Sequence, residues 1–145
     1  MSTASAPSHV KHIPVFFYGS FMGRDMLARG GFHPEHIEVA RLNGYDISFS
    51  PYAHISRSDQ HSIYGILTQA THQELDALYL MSGIGLYLPE PVIVEARDGA
   101  LRPALYYIAP AARNEPADRA YVALLAEAAR EHGFPDWYVA RLGHV

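Results

Sequence analysis

The sequence predicts a single α+β domain, on three observations. Short, β-prone apolar runs crowd the first two thirds of the chain, a long amphipathic helix follows them, and strands and helices do not alternate as in βαβ folds. With 145 residues, one core is expected rather than two, because each half alone would bury too little surface.

The elements follow in order. Met1 to Ser8 is small and polar, without the charged start and apolar core of a signal peptide, so residues 1–12 are expected to be a flexible leader and 13–145 the domain. Ile13 to Tyr18 is an apolar run that stops at Gly19, the pattern of a buried strand ending in a turn. Met22 to Arg29 predicts a short helix closed by Gly30-Gly31. Ile37 to Phe49 predicts a long strand kinked at Asn43-Gly44, with alternation from Tyr45 to Phe49 that buries one face. Ser56 to Gln60 reads as a polar turn and Ser62 to Leu67 as the next strand.

Thr71-His72-Gln73-Glu74 has the form of a capping box and opens a helix with Leu75, Leu78 and Tyr79 on one face, ending at Ser82-Gly83. Leu88 to Glu95 and Leu101 to Ile108 predict two strands joined by an Asp98-Gly99 turn. Pro116 starts the longest helix, with Tyr121, Leu124, Leu125 and Ala128 on its apolar face and Gly133 at its end. Phe134 to Leu142 predicts a last short helix.

Composition excludes several functions. A formal net charge of −4, with arginines scattered rather than clustered, removes the electrostatic case for nucleic-acid binding. No stretch approaches the roughly 20 apolar residues that cross a bilayer, so no membrane partner is expected. Without cysteine there is no disulfide framework, thiolate nucleophile or Cys-ligated metal, and the expected location is the cytoplasm. Of the nine histidines only His9/His12 and His33/His36 are closely spaced, as pairs, short of the three or four ligands that a zinc site needs, so no metal and no cofactor are expected. Gly19 to Gly23 has its serine one place too early for a nucleophile elbow, and Gly83-Ile84-Gly85 lacks the third glycine of a dinucleotide fingerprint.

The turn after the first strand is the leading candidate for a ligand site. A strand ending in Tyr18-Gly19-Ser20 turns sharply, and its small residues leave backbone N–H groups to cradle an anion such as a carboxylate, with the Ser20 hydroxyl as a further donor. The alternative is an ordinary strand-to-loop turn with Tyr18 in the core.

The segment Val15 to Met22 resembles the Tyr-Gly-Ser/Thr-Asn/Leu loop that opens gamma-glutamylcyclotransferase-like proteins. Ala40-Arg41-Leu42-Asn43-Gly44-Tyr45 with Phe49, Ile63 to Leu67, Leu75-Asp76 to Gly83, Tyr87 with Val92 and Val94, and Pro135-Asp136-Trp137-Tyr138 are similar to that family's following segments, in the same order. The resemblance implies a small mixed β-barrel flanked by helices. It also implies cofactor-free chemistry on a small molecule carrying a carboxylate or amide: the substrate's α-amine attacks its own γ-carbonyl, giving 5-oxoproline and a free amine. Ring closure is intramolecular, so holding the substrate folded supplies much of the barrier reduction.

Family members with that activity use one glutamate, just before a glycine after the Leu-Asp helix, to carry the proton. Here Ser82 falls at that position, and a serine hydroxyl cannot take up and return a proton near neutral pH. Glu90 is the candidate replacement. By period two it shares a face with Leu88, Val92 and Val94, so its carboxylate is expected to be partly desolvated, as a general acid/base requires. The alternative is a solvent-facing glutamate on an edge strand, in keeping with the flanking Pro89 and Pro91. Glu74 is better explained by the capping box.

The expected binding residues are Tyr18, Gly19, Ser20, Phe21 and Met22, with His54, Ser82, Tyr87 and Tyr138 lining the site. His54 could equally be a structural histidine, and Tyr87 and Tyr138 packed core aromatics. Three functions remain open on the sequence: an enzyme of this type, a binding member without turnover, and a member turned to another reaction in a biosynthetic pathway.

Overall fold

A computed structural model of the chain describes residues 11–82, 88–108 and 115–143. Among them five strands close a barrel in the order β1-β3-β2-β4-β5: β1 (Ile13–Phe17), β2 (Glu38–Phe49), β3 (Ala53–Ala70), β4 (Leu88–Ala96) and β5 (Leu101–Ile108). β1 runs parallel to β5, with Val15 opposite Leu105, while the other pairings are antiparallel. The barrel is thus small and mixed. The helices α1 (Arg24–Arg29), α2 (His72–Ser82), α3 (Arg119–Glu131) and α4 (Asp136–Gly143) accompany it.

Strand alternation sorts the side chains into two faces. Ala40 stands opposite both Gly65 and Ala96, and on this inner face Leu42, Ile63, Val92, Val94 and Ala104 are buried. Arg41, Tyr64 and Glu95 take the outer face, where Arg41 and Glu95 pair at 2.7 Å. β1 buries Val15, Phe16 and Phe17 in succession, which is why it reads as an unbroken apolar run. It lies tight against β3 only because position 65 is glycine: a Cβ there would stand 2.3 Å from the Phe17 carbonyl oxygen and 2.7 Å from the Phe16 ring.

One difference from the sequence reading shapes the end of the barrel where β1 and β5 finish. Ser56 to Gln60 does not form a turn between strands, for β3 runs unbroken from Ala53 to Ala70. The surplus is absorbed by a large irregularity: Asn43 faces Ser62 but Tyr45 faces Arg57, so Gly44, at φ +86°, opposes residues 58–61. Such a bulge bends the hairpin. Its distal half, Tyr45–Phe49 with Ala53–Arg57, comes across the end of the barrel where β1 and β5 finish.

The helix caps follow sequence rules. The Thr71 N–H donates to Glu74 Oε1 at 2.8 Å and the Glu74 N–H to Thr71 Oγ1 at 3.1 Å, completing the capping box, and Leu75 and Leu78 are buried. α3 begins three residues after Pro116, because the Asp118 carboxylate caps it by accepting the Tyr121 N–H at 3.0 Å. Val122, Leu125, Ala128 and Ala129 form its buried stripe; Leu124, expected in that stripe, is 66% exposed.

Candidate functional site

The bend after β1 is anchored from within. Tyr18 is buried, donates its hydroxyl to the Tyr107 carbonyl at 3.1 Å, and sets its ring edge-on to Tyr106 at 6.2 Å. Residues Ser20–Met22 then make a single 3-10 turn, closed by Met22 N–H to Gly19 O at 2.9 Å and Gly23 N–H to Ser20 O at 3.1 Å. Phe21 and Met22 point into the core, Phe21 edge-on to Phe17 and Tyr79, so these two secure the turn while Gly19 and Ser20 stay half-buried. No side chain caps the turn, and the first amides of such a turn have no acceptor within it.

α3 braces the bend at both ends. A Cβ on Gly19 would lie 3.2 Å from the Tyr121 hydroxyl and 3.8 Å from Ala53 Cβ, and that hydroxyl also accepts the Ala53 N–H at 3.4 Å. At the other end of the turn, His132 Nε2 donates to the Met22 carbonyl at 2.6 Å. The sequence reading assigned Tyr121 to the core and gave His132 no role. No local spacing marks either one.

The same end of the barrel carries a tyrosine cluster with one carboxylate and one guanidinium. Tyr18, Tyr45 and Tyr106 meet on the inner face, Tyr106 standing 6.2 Å from each of the other two rings. Glu90 is directly opposite Tyr106 in the β4–β5 register, and the Tyr106 hydroxyl donates to Glu90 Oε1 at 3.3 Å. Burial, reinforced by the Glu90 charge and by Tyr45, pushes the Tyr106 phenol up to about 12, so it stays a protonated donor at neutral pH. Arg57, opposite Tyr45, holds its guanidinium 5.7 Å from the Tyr45 ring centroid. Behind the cluster, Tyr107 stacks on Tyr79 of α2 at 4.3 Å, its phenol raised by burial and by the Asp76 charge.

Glu90 lies on the face expected, in line with buried Val92 and Val94, but it is exposed rather than desolvated. It stands one step beyond the last buried pair of that face, Val92 with Ala104. His54 does not line this end. It pairs with Ser48 on the face opposite Ala53 and Ile55, and so turns away from Gly19; burial lowers its pKa. Tyr138 packs among Tyr64, Phe134 and Trp137 on the outer side of β3, not beside the bend. Burial raises its phenol, only partly offset by the Tyr64 backbone, and its hydroxyl makes no hydrogen bond of good geometry. Ser82 ends α2, with its side chain outside the described residues, as is all of Tyr87.

Among the described residues no group of three or more His, Asp or Glu side chains could hold a metal ion, and no helix is long and apolar enough to cross a membrane. A groove of about 560 Å³ opens at the far end of the barrel between Pro14, Ile37, Leu67 and Leu101. Its opposed charges, Arg102 and Glu38, already pair at 3.1 Å, and it shares no residue with the bend.

The fold is an α+β barrel of the gamma-glutamylcyclotransferase type. The sequence matches the family model described as "Gamma-glutamyl cyclotransferase, AIG2-like" over residues 15–125, and the protein belongs to that family. Among solved structures, an uncharacterized protein from Homo sapiens superposes with a TM-score of 0.78 at 20% identity, over 92% of this chain and 88% of that one. A gamma-glutamyl cyclotransferase gives 0.77 at 20% identity, over 93% and 88%. A yeast gamma-glutamyl cyclotransferase specific to glutathione gives 0.62 at 12% identity, over 91% and 94%. At these identities the likeness is one of fold. No curated protein matches the sequence significantly.

Proposed function

We propose that the protein is a cofactor-free acyl-transfer enzyme that closes a small gamma-glutamyl amide, or a related amide, into 5-oxoproline and releases the amine. The bend at Tyr18 to Met22 receives the γ-carbonyl, whose oxygen gains charge as the ring closes, and the open amides of the 3-10 turn with Ser20 stabilise it. Glu90 takes the proton from the attacking α-amine and returns it to the departing nitrogen. One N–C bond forms, one breaks, and no water is consumed.

The observation that carries this reading is the hydrogen bond from the buried Tyr106 to Glu90 at 3.3 Å. It orients a carboxylate on the inner face, at the barrel end where the bend lies. A bound substrate would itself cover Glu90 and exclude water from it.

The second reading is a binding member without turnover. It is favoured by Ser82, which stands at the position that the family resemblance gives to the glutamate, and by the exposure of Glu90. An assay of 5-oxoproline release from gamma-glutamyl amines separates the two. Turnover that Glu90→Gln abolishes supports the enzyme; tight binding without turnover, unaffected by that substitution, supports the binding member.

A further inference from the structure

We propose that the outer wall of the barrel carries a second ligand site, for a small carboxylate bearing one flat apolar ring. The site is independent of the chemistry proposed for the bend and shares no residue with it. A cavity of about 290 Å³ opens between β2, the surplus of β3 and the start of α4. Gln60 and His61, two of the residues that the bulge sets opposite Gly44, form one wall. Tyr138 and Arg141 of α4 form another, and Arg41 with Asp46 of β2 the third. Bulges commonly re-aim side chains next to sites, and the volume is at the small end of ligand pockets.

Three observations give the ligand its chemistry. Tyr138 is 1% exposed, and its hydroxyl makes no hydrogen bond of good geometry. That hydroxyl feels the charges of Arg141 and Asp46, which places it toward the cavity that they line. It is a donor in want of an acceptor. Second, Arg41 and Arg141 line the same cavity against a single carboxylate, Asp46, among the described residues. Each guanidinium is a fork of several N–H donors. The pairing of Arg41 with Glu95 at 2.7 Å and of Arg141 with Asp46 at 3.2 Å engages one nitrogen of each. Asp46 also accepts the Ile47 N–H at 2.9 Å. The cavity is thus rich in donors and short of acceptors, which suits a ligand carboxylate. Third, the one tryptophan of the chain, Trp137, stands at the rim. It is edge-on to Tyr64 at 5.8 Å and to Tyr138 at 5.6 Å, yet 56% exposed. Its open surface is a seat for a flat ring.

The test follows the Trp137 indole N–H, the single such resonance of the chain, in nitrogen–proton spectra of the full-length protein. Phenylacetate, phenylacetamide and acetate are titrated into the unaltered protein, Tyr138→Phe and Arg41→Gln. Phenylacetate is expected to move the resonance saturably and to bind about 10-fold more tightly than phenylacetamide, as one charge-assisted contact gives. Acetate, which lacks the ring, is expected to bind at least about 10-fold more weakly than phenylacetate. Arg41→Gln is expected to erase the preference for the acid over the carboxamide. Tyr138→Phe keeps the buried ring and removes only the hydroxyl, and is expected to weaken phenylacetate about 3- to 10-fold. A dispersed spectrum of each variant shows that it is folded. No saturable shift in the unaltered protein, equal binding of acid and carboxamide, acetate binding as tightly as phenylacetate, or variants that bind like the unaltered protein would overturn the proposal. Trp137 reports the outer wall, so failure of the 5-oxoproline assay leaves this result untouched, and the reverse holds as well.

Discussion

His132 Nε2 and the Met22 carbonyl oxygen stand 2.6 Å apart across 110 positions of sequence. This contact ties the end of α3 to the bend after β1, so the geometry of the turn depends on a residue near the other end of the chain. Replacing His132 with Phe keeps the ring and removes the donor. It is expected to cost about 1–2 kcal/mol of stability in urea unfolding and to lower kcat/KM more than it changes the fold, as seen by circular dichroism.

Gly19 sets a second constraint on the bend. A Cβ there meets the Tyr121 hydroxyl at 3.2 Å, the far end of a side chain that can shift a little. Gly19→Ala is expected to fold with a loss of about 1 kcal/mol but to weaken ligand binding severalfold, since the turn moves with the ring. Unfolding midpoints and calorimetric affinities measured side by side check both parts.

Gly65 behaves differently, because its would-be neighbour is backbone. A Cβ 2.3 Å from the Phe17 carbonyl cannot be relieved by a rotamer change, so β1 and β3 must part. Gly65→Ala is expected to cost about 3 kcal/mol or more and to lower the denaturation midpoint well beyond the Gly19 variant.

Tyr138 links stability to alkaline pH. Burial raises its phenol in the folded protein above the usual value of about 10, so the neutral form is favoured by folding. Its contribution is complete below that pH and is lost as pH rises toward the folded-state value, by up to about 1.4 kcal/mol per pH unit. Tyr138→Phe removes both the ionisation and a buried hydroxyl without a good partner. The variant is expected to be as stable as the original near pH 7 or slightly more so, and to flatten the alkaline fall in melting temperature.

Much of the fold is legible in the sequence because its signals are local. The Asp98-Gly99 turn bounds β5, found over Leu101–Ile108 as read, and the Thr71–Glu74 box makes both of its expected hydrogen bonds. The bulge is harder: Asn43-Gly44 announces a kink, but not that residues 58–61 would be absorbed opposite one glycine. That miscount hides which face the distal hairpin presents. His54 therefore reads as a lining residue when it faces away, and Arg57 and Tyr45 are overlooked. Tyr18 follows β1 while Tyr45 and Tyr106 lie on β2 and β5, and only closure of the barrel brings them together. The face that Glu90 takes is legible from strand alternation, but its exposure, against the partial desolvation expected, is not reported by any period.

In the proposed reaction Glu90, held by Tyr106, carries the proton in ring closure. Single-turnover release of 5-oxoproline from gamma-glutamyl-butylamide, compared among the unaltered protein, Glu90→Gln and Tyr106→Phe, tests it most directly. A loss of at least about 100-fold is expected for Glu90→Gln, within the usual contribution of general acid–base catalysis, and a smaller loss, about 3- to 10-fold, for Tyr106→Phe, which removes one hydrogen bond. Turnover in the unaltered protein that persists undiminished in Glu90→Gln would contradict it.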